Sequence, residues 1–347
     1  MSNPPETVSH ELSLSSIWRI ILLLALVWFL YELRDIIMIL LFAIIIASGV
    51  TPFANWLDKK RFPRLLGVAL LYLSVFVLIA FVISLMVPFI SAQINQLIQD
   101  LPNFINKVSD SLDKVQDSRY VDLFSEAQNL LDSASGYLQA FSGSVFGFIV
   151  NIFGGLVSFA AIIIISFYLS VMRNGVESFI RSVVPREYEG IVTRVWRRAE
   201  TKVGKWLQGQ MLLALIVGLA VYIVMSLMGI KFALLLGFLA MVLELVPHVG
   251  PVLAAIPAVV LGFSTSTTLG IWVIVAWILI QQIENHILVP LILGKSVGLH
   301  PVIVIVSLLI GAKLAGILGM VLAVPVAAVI VEILEELMRE PVVESIK

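Results

Sequence analysis

The sequence contains no cysteine and few charged residues. Only 13% of its 347 residues are Asp, Glu, Lys or Arg, whereas an average soluble domain has about 25%. The absence of cysteine excludes disulfides, thiolate zinc sites and a cysteine nucleophile. The net charge of -1 offers no basic surface to nucleic acid, so we expect no nucleic-acid partner.

Motifs for catalysis and nucleotide binding are also missing. His10-Glu11 is not followed by a second histidine at the spacing of a zinc protease, and there is no Gly-x-x-x-x-Gly-Lys-Ser/Thr loop or Gly-x-Ser-x-Gly turn. No histidine has a partner at metal-ligand spacing. We therefore expect neither an enzyme nor an ATP-driven pump, and no metal or cofactor.

Long apolar runs are abundant instead. Hydrophobic residues make up 60% of the chain and the mean hydropathy is +1.06. A helical span needs about 20 mostly apolar residues, and such stretches cover residues 17–30, 36–54, 65–89, 145–171, 207–228, 232–263, 269–293 and 301–333. Because an open sheet edge is not satisfied in lipid, the sequence predicts an all-α, polytopic membrane protein with about eight transmembrane segments.

Charge between the spans predicts their orientation. Residues 58–64 (DKKRFPR) and 173–206 are rich in Lys and Arg, whereas residues 90–144 are mainly acidic. Basic loops stay in the cytoplasm. The sequence therefore predicts a cytoplasmic N-terminus (1–16), transmembrane segments 1–3 (17–89), an extracytoplasmic amphipathic helical region (90–144), segment 4 (145–172), cytoplasmic basic amphipathic helices (173–206), segments 5–8 as the transport core (207–333) and a cytoplasmic C-terminus (334–347).

The two polar regions show apolar residues at intervals of three and four, which is typical of amphipathic helices. We expect the basic one to lie along an anionic inner leaflet. A regulatory protein-binding site is the alternative.

The last third of the chain holds most of the ionisable groups found within apolar runs. Charges at the bilayer centre cost several kcal/mol by insertion scales, so Glu244, Glu284 and Lys313 are expected to face a cavity or each other. The default hypothesis is a path for a polar solute.

The stretch LELVPHVGPVLAAIP, residues 243–257, predicts a broken helix. Pro247, Pro251 and Pro257 lack a backbone N–H, and Gly250 adds freedom between them. We expect the helix to stop near Val246 and to restart near Val252, beside Glu244 and His248. Secondary transporters build sites at such breaks. A kinked span and a re-entrant hairpin both remain open.

The next polar stretch reads WILIQQIENHILVPLILGKSVGLHP, residues 277–301. Gln281, Glu284 and Asn285 share a helical face and either line a solute path or join helices by hydrogen bonds. For His248, capping or snorkelling is the alternative to direct function. Further helix breaks are expected at Pro290, Gly294, Pro301, Gly316, Gly319 and Pro325. The similarity of GPVLAAIP (250–257) to GMVLAVP (319–325) suggests an internal repeat.

These motifs resemble the autoinducer-2 exporter, or AI-2E, family of bacterial membrane proteins over roughly residues 15–340. The family's Pro-x-x-Gly element falls on Pro247 and Gly250, and its Glu with downstream Pro, Gly and Pro falls on Glu284, Pro290, Gly294 and Pro301. Its glycine-rich stretch ending in Ala-Val-Pro falls on Gly311, Gly316, Gly319 and Pro325. The resemblance implies a bacterial inner-membrane transporter and a homo-oligomer, with autoinducer-2 as the eponymous substrate.

Three hypotheses follow. The first is a secondary transporter that exports a small polar solute, with proton coupling through Glu244 or Glu284. The second is a sodium or lithium/proton antiporter, which the resemblance also allows. The third is a non-transporting envelope scaffold, in which the polar residues only hold helices together.

Overall fold

The computed structural model describes residues 14–81, 153–172, 184–294 and 298–338, with single positions at 84, 88, 92, 93, 96, 177, 181 and 182. Every regular element within these residues is helical, so the predicted all-α membrane fold is confirmed. Residues 1–13 and 339–347, and nearly all of the predicted extracytoplasmic region 90–144, lie outside the described residues.

The described part contains ten helices. They are α1 (Leu14–Glu32), α2 (Arg34–Lys59), α3 (Arg64–Phe81), α4 (Leu156–Val171), α5 (Arg186–Leu227), α6 (Ala233–Leu243), α7 (Val249–Thr265), α8 (Thr267–Ile283), α9 (Val289–Ile292) and α10 (Pro301–Met338). A π-helical turn, Glu284–Leu288, joins α8 to α9. Five helical runs among these residues are long and apolar enough to cross a membrane: α2, α3, α5, α8 through α9, and α10.

Helix α5 is longer than the sequence predicts. Its 42 residues join the basic amphipathic stretch to the fifth apolar segment without a break, so the predicted boundary between residues 206 and 207 falls inside the helix. The basic stretch from Arg186 is therefore continuous with the fifth apolar segment and not a separate helix. Several of its cations pair with carboxylates of this chain: Arg194 with Glu336, and Arg198 and Lys202 with Glu332.

Residues 232–265 form a hairpin, which we call hairpin 1. Helix α6 runs antiparallel to α5, because Gly237 contacts Gly218 while Gln210 contacts the end of α6. Helix α7 runs antiparallel to α8, with Gly262 against Gly270. The start of α6 and the end of α7 lie at the same end, since residue 228 and residue 269 line one groove. The open question of a kink or a hairpin is thereby resolved in favour of the hairpin.

Helix α10 also folds back on itself, and we call its two arms, residues 301–314 and 317–338, hairpin 2. The backbone leaves the helical region at Ala315 (φ -147°) and Gly316 (φ 58°). Gly311 and Gly319 then touch backbone to backbone, although residues eight apart in a straight helix lie about 12 Å apart. The segment expected to be one span is therefore a reversal. Gly316 is the break, and Gly319 is the close contact beside it.

Most of the predicted proline breaks do not interrupt a helix. Pro251 lies in the first turn of α7, which restarts at Val249 and not at Val252, and α7 continues through Pro257. The second arm of hairpin 2 continues through Pro325. At Pro290 the preceding π-turn widens the helix, and such a bulge takes up the clash of the proline ring with the previous turn.

The two remaining predicted breaks mark helix ends. Gly294 follows α9 with φ 51°, and its N–H donates to Val289 O at 3.2 Å, which is a left-handed helix cap. Pro301 is the first residue of α10, where its missing N–H costs nothing.

Candidate functional site

Two glutamates from different helices meet at the turn of hairpin 1. Glu244 follows the last residue of α6, and Glu284 opens the π-turn after α8. Both are buried, with 2% and 5% of their surfaces exposed. Their carboxyl groups lie close enough to interact directly. We call Glu244 and Glu284 the carboxyl pair.

The break in hairpin 1 places Glu244 in this position. Helix α6 ends at Leu243, and residues 244–248 form the turn before α7. Gly250 is needed on the far side, because a Cβ there would overlap the carbonyl of Leu243. His248 adopts φ 63° at the turn, a conformation uncommon for a residue other than glycine.

Gln210 of α5 anchors the turn of hairpin 1 through its side chain. Its Nε2 donates a short hydrogen bond to the carbonyl oxygen of Glu244, and its side chain is buried. Gln210 was not among the predicted site residues, although a glutamine at the start of an apolar run was a visible signal. Gln210 lies five residues beyond Lys205, about 7–8 Å further along the helix. The carboxyl pair is therefore within the apolar part of the bundle.

Gln281 supports the second carboxylate. Its Nε2 donates to Glu284 Oε2 at 2.8 Å, from one turn earlier on α8. Glu244 Oε2 is fully enclosed and accepts no hydrogen bond from the described residues. The pair thus has one oxygen held by an amide and one that only a proton, a cation or a polar solute can satisfy.

The other predicted site residues are placed differently. Pro247 is half-buried and Gly250 is buried, both in or next to the turn of hairpin 1. His248 and Asn285 are exposed, and Lys313 is exposed one turn before the reversal of hairpin 2. Gln281 and Glu284 are thus brought together with Glu244, whereas Asn285, His248 and Lys313 lie outside this buried cluster.

Hairpin 2 packs directly against the turn that carries Glu244. Val246 is buried in a cluster with Leu308 of the first arm and Ala323 of the second arm. A displacement of either hairpin therefore changes the packing next to the carboxyl pair. No group of three or more His, Asp or Glu side chains with metal-binding geometry occurs in the described part of the chain.

Broken helical hairpins with buried carboxylates in a polytopic bundle define a class: membrane proteins that move solutes or ions through a site inside the bundle. The comparisons with known proteins agree. The chain belongs to the AI-2E family of transporters, whose sequence model matches residues 19–339.

Relatives in several bacteria support this assignment. YueF of Bacillus subtilis is 27% identical over 80% of this chain and 78% of its own length. YrrI of the same organism is 28% identical over 86% of this chain and 85% of its own. Both are named as candidate transport proteins without a substrate. TqsA of Escherichia coli, named an AI-2 transport protein, is 31% identical over 45% of each chain. The chain is therefore a multi-pass membrane protein with a role in transport.

Proposed function

We propose that this chain is a secondary transporter of the bacterial inner membrane that exports a small polar solute such as autoinducer-2, coupled to proton movement at the carboxyl pair. The observation that supports this proposal is the close approach of two buried carboxyl groups, Glu244 and Glu284, at a helix break. The name of the TqsA relative supports the choice of solute.

The chemistry of the carboxyl pair favours one proton shared between the two groups. Two carboxyl groups hydrogen-bond to each other only when one carries a proton, because carboxylates are acceptors only. The pair then titrates as a unit. When hairpin 1 moves Glu244 away from Glu284, the carboxylate that loses its partner takes up a proton or a solute donor. Transport and protonation are coupled in this way.

The packing of the two hairpins supports alternating access. The turn of hairpin 1 and both arms of hairpin 2 meet at Val246, Leu308 and Ala323. These contacts are aliphatic, so one surface slides over the other without breaking a hydrogen bond at these three residues. Glu244 is two residues from Val246 in the chain. A shift of this contact therefore exposes the carboxyl pair to one side of the membrane or the other.

The proposal includes cytoplasmic termini and assembly of several copies. The basic stretches at residues 58–64 and 173–206 support the orientation. Gln282, Asn285 and His286 are exposed on one side of the α8 run, where contact with lipid is costly. A second copy that covers this face would satisfy them. Native mass spectrometry of the protein released from nanodiscs should show a multimer, and a monomer alone would contradict this part.

The test of transport uses proteoliposomes loaded with autoinducer-2. Wild-type protein should release the solute faster as the proton gradient is increased. Glu284→Gln keeps the side-chain shape and removes the charge, so we expect the flux to fall at least about tenfold and to lose its response to pH. Glu335→Gln, an exposed glutamate on α10, is the matched control. Unchanged flux and pH response in Glu284→Gln would remove the pair from the mechanism.

A sodium or lithium/proton antiporter is the second candidate function. The enclosed Glu244 Oε2 accepts no hydrogen bond in the described part of the chain, and this supports the antiporter, because carboxylate oxygens bind such cations. In a salt-sensitive deletion strain, wild-type protein and Glu335→Gln should then restore growth in sodium while Glu284→Gln should not. Restoration by all three proteins, or by none, would favour solute export.

A further inference from the structure

A cavity lies at the reversal of hairpin 2, the end opposite residues 301 and 338. It has a volume of about 380 Å³, is partly open, and is bounded by the start of α2, the start of α4 and the reversal of hairpin 2. Met38 of α2 lines it, and Gly49, eleven residues later, accepts a hydrogen bond from Gln208 at 2.7 Å. The helical rise places Met38 about 16 Å along α2 from Gly49. The carboxyl pair lies beside Gln210, two residues from Gln208, so the cavity is separate from the carboxyl pair.

Arg34 brings hydrogen-bond donors to this cavity that have no acceptor among the described residues. Its Nε lies 3.7 Å from Asp35 Oδ1, beyond hydrogen-bond distance, and Asp35 is 88% exposed. No hydrogen bond from the Arg34 guanidinium is formed among the described residues. The Arg34 side chain is 47% exposed, and its guanidinium lies over the ring of Tyr31, 4.7 Å from the centroid. It is thus held by an aromatic contact and a long ion pair with Asp35, and it keeps donors that suit a bidentate anion.

Asp35, which is 88% exposed, also lines the cavity, and the rest of the wall is largely apolar. Phe42 and Phe153 meet edge to face with their centroids 5.3 Å apart, and Leu314 and Leu318 close the side formed by hairpin 2. Ser158 adds one hydroxyl, which donates to Gly154 O at 3.4 Å. Ligand pockets are typically about 300–1,000 Å³, mostly apolar with a few polar groups. This volume therefore suits a small organic molecule.

We propose that this cavity binds a small organic monoanion, with its carboxylate on the Arg34 guanidinium and its apolar body between Phe42, Phe153 and the reversal of hairpin 2. Such a ligand satisfies the unused donors and fills the apolar space. It contacts Leu314 and Leu318, and hairpin 2 also packs on Val246 beside the carboxyl pair. A ligand here therefore contacts hairpin 2 without occupying the site of the carboxyl pair.

This binding site does not depend on the proposed transport function, and its test measures binding alone. Full-length protein is placed in phosphatidylcholine nanodiscs, and radiolabelled benzoate is titrated by equilibrium dialysis. Benzamide, which has the same ring without the charge, is the matched ligand. We expect saturable binding of one benzoate per chain, with benzamide at least about tenfold weaker because a charge-assisted bidentate contact is lost.

Substitutions then locate the site. Arg34→Gln should weaken benzoate binding about tenfold or more, and Ser158→Phe, which fills the cavity, should abolish it. Arg61→Gln removes a cation from the turn after α2 and should leave binding unchanged. Glu284→Gln should also bind benzoate normally, so a failure of the transport proposal would not affect this result. Absent binding in wild type, equal affinity in Arg34→Gln and Arg61→Gln, or unaltered binding in Ser158→Phe would overturn the proposal.

Discussion

The contact between α5 and α6 should tolerate no side chain at Gly218. A Cβ at that position would lie 2.5 Å from Met241 Cβ and 2.8 Å from Gly237 O. Ordinary van der Waals contact begins near 3.4 Å, so the helices must separate by about 1 Å. Neither obstructing atom belongs to the far end of a flexible side chain, so a rotamer change offers no relief.

The expected cost of Gly218→Ala follows from this overlap. Overpacking typically costs about 1–3 kcal/mol, and the better helix propensity of alanine returns up to about 1 kcal/mol. We expect a net destabilisation of about 1–2 kcal/mol. Because α6 carries Glu244 at its end, the separation should also weaken the hydrogen bond from Gln210 and reduce transport.

Gly190 provides the control on the same helix. A Cβ there would meet only Arg194 Nη1, at 3.8 Å. Gly190→Ala should therefore be neutral or stabilising by up to about 1 kcal/mol. The assay is thermal unfolding of the purified full-length protein, followed by tryptophan fluorescence. Gly218→Ala should melt several degrees below Gly190→Ala, and equal melting temperatures would refute the close packing of hairpin 1 on α5.

Two further predictions concern ion pairs at the basic end of α5. The hydrogen bond from Arg197 holds the pKa of the Glu177 carboxyl below its ordinary value of 4.5. The stabilisation from this ion pair is therefore complete above pH 4.5 and is lost as the pH falls through the lowered pKa. The melting-temperature difference between wild type and Glu177→Gln should shrink on acidification below pH 4.5, and a constant difference would contradict this. The side chain of Glu332 is 3% exposed and pairs with Lys202, so Glu332→Gln should lower the free energy of unfolding by about 1–2 kcal/mol. The exposed control Glu335→Gln should lower it by less than about 0.5 kcal/mol. Equal melting temperatures of these two variants would contradict the prediction.

The interruption at Pro247 was predictable because a proline has no N–H to donate inside a helix. Whether the chain then continues or turns back was not, since the answer depends on tertiary packing that brings the end of α7 to the start of α6. A break at Gly316 was predicted, but the change of direction there was not specified for the same reason. Its apolar composition matches that of one long span, and only the contact of Gly311 with Gly319 shows the fold.

The candidate site shows the same division. Glu244 and Glu284 were predicted from their cost in an apolar segment, and the structure brings them together. Asn285 was placed on the face of Glu284 by helical spacing, but the π-turn that begins at Glu284 changes the register, and Asn285 is exposed. A π-turn depends on the strain around Pro290 and on packing, which spacing alone does not encode.

The central claim is that the carboxyl pair couples solute movement to protons. Its most direct test records the pH inside proteoliposomes with a trapped fluorescent dye while an autoinducer-2 gradient is imposed in the absence of sodium. Wild type and Glu335→Gln should produce a solute-dependent pH change, and Glu284→Gln should produce none. A full pH change in Glu284→Gln, or solute flux without any pH change in wild type, would contradict the account.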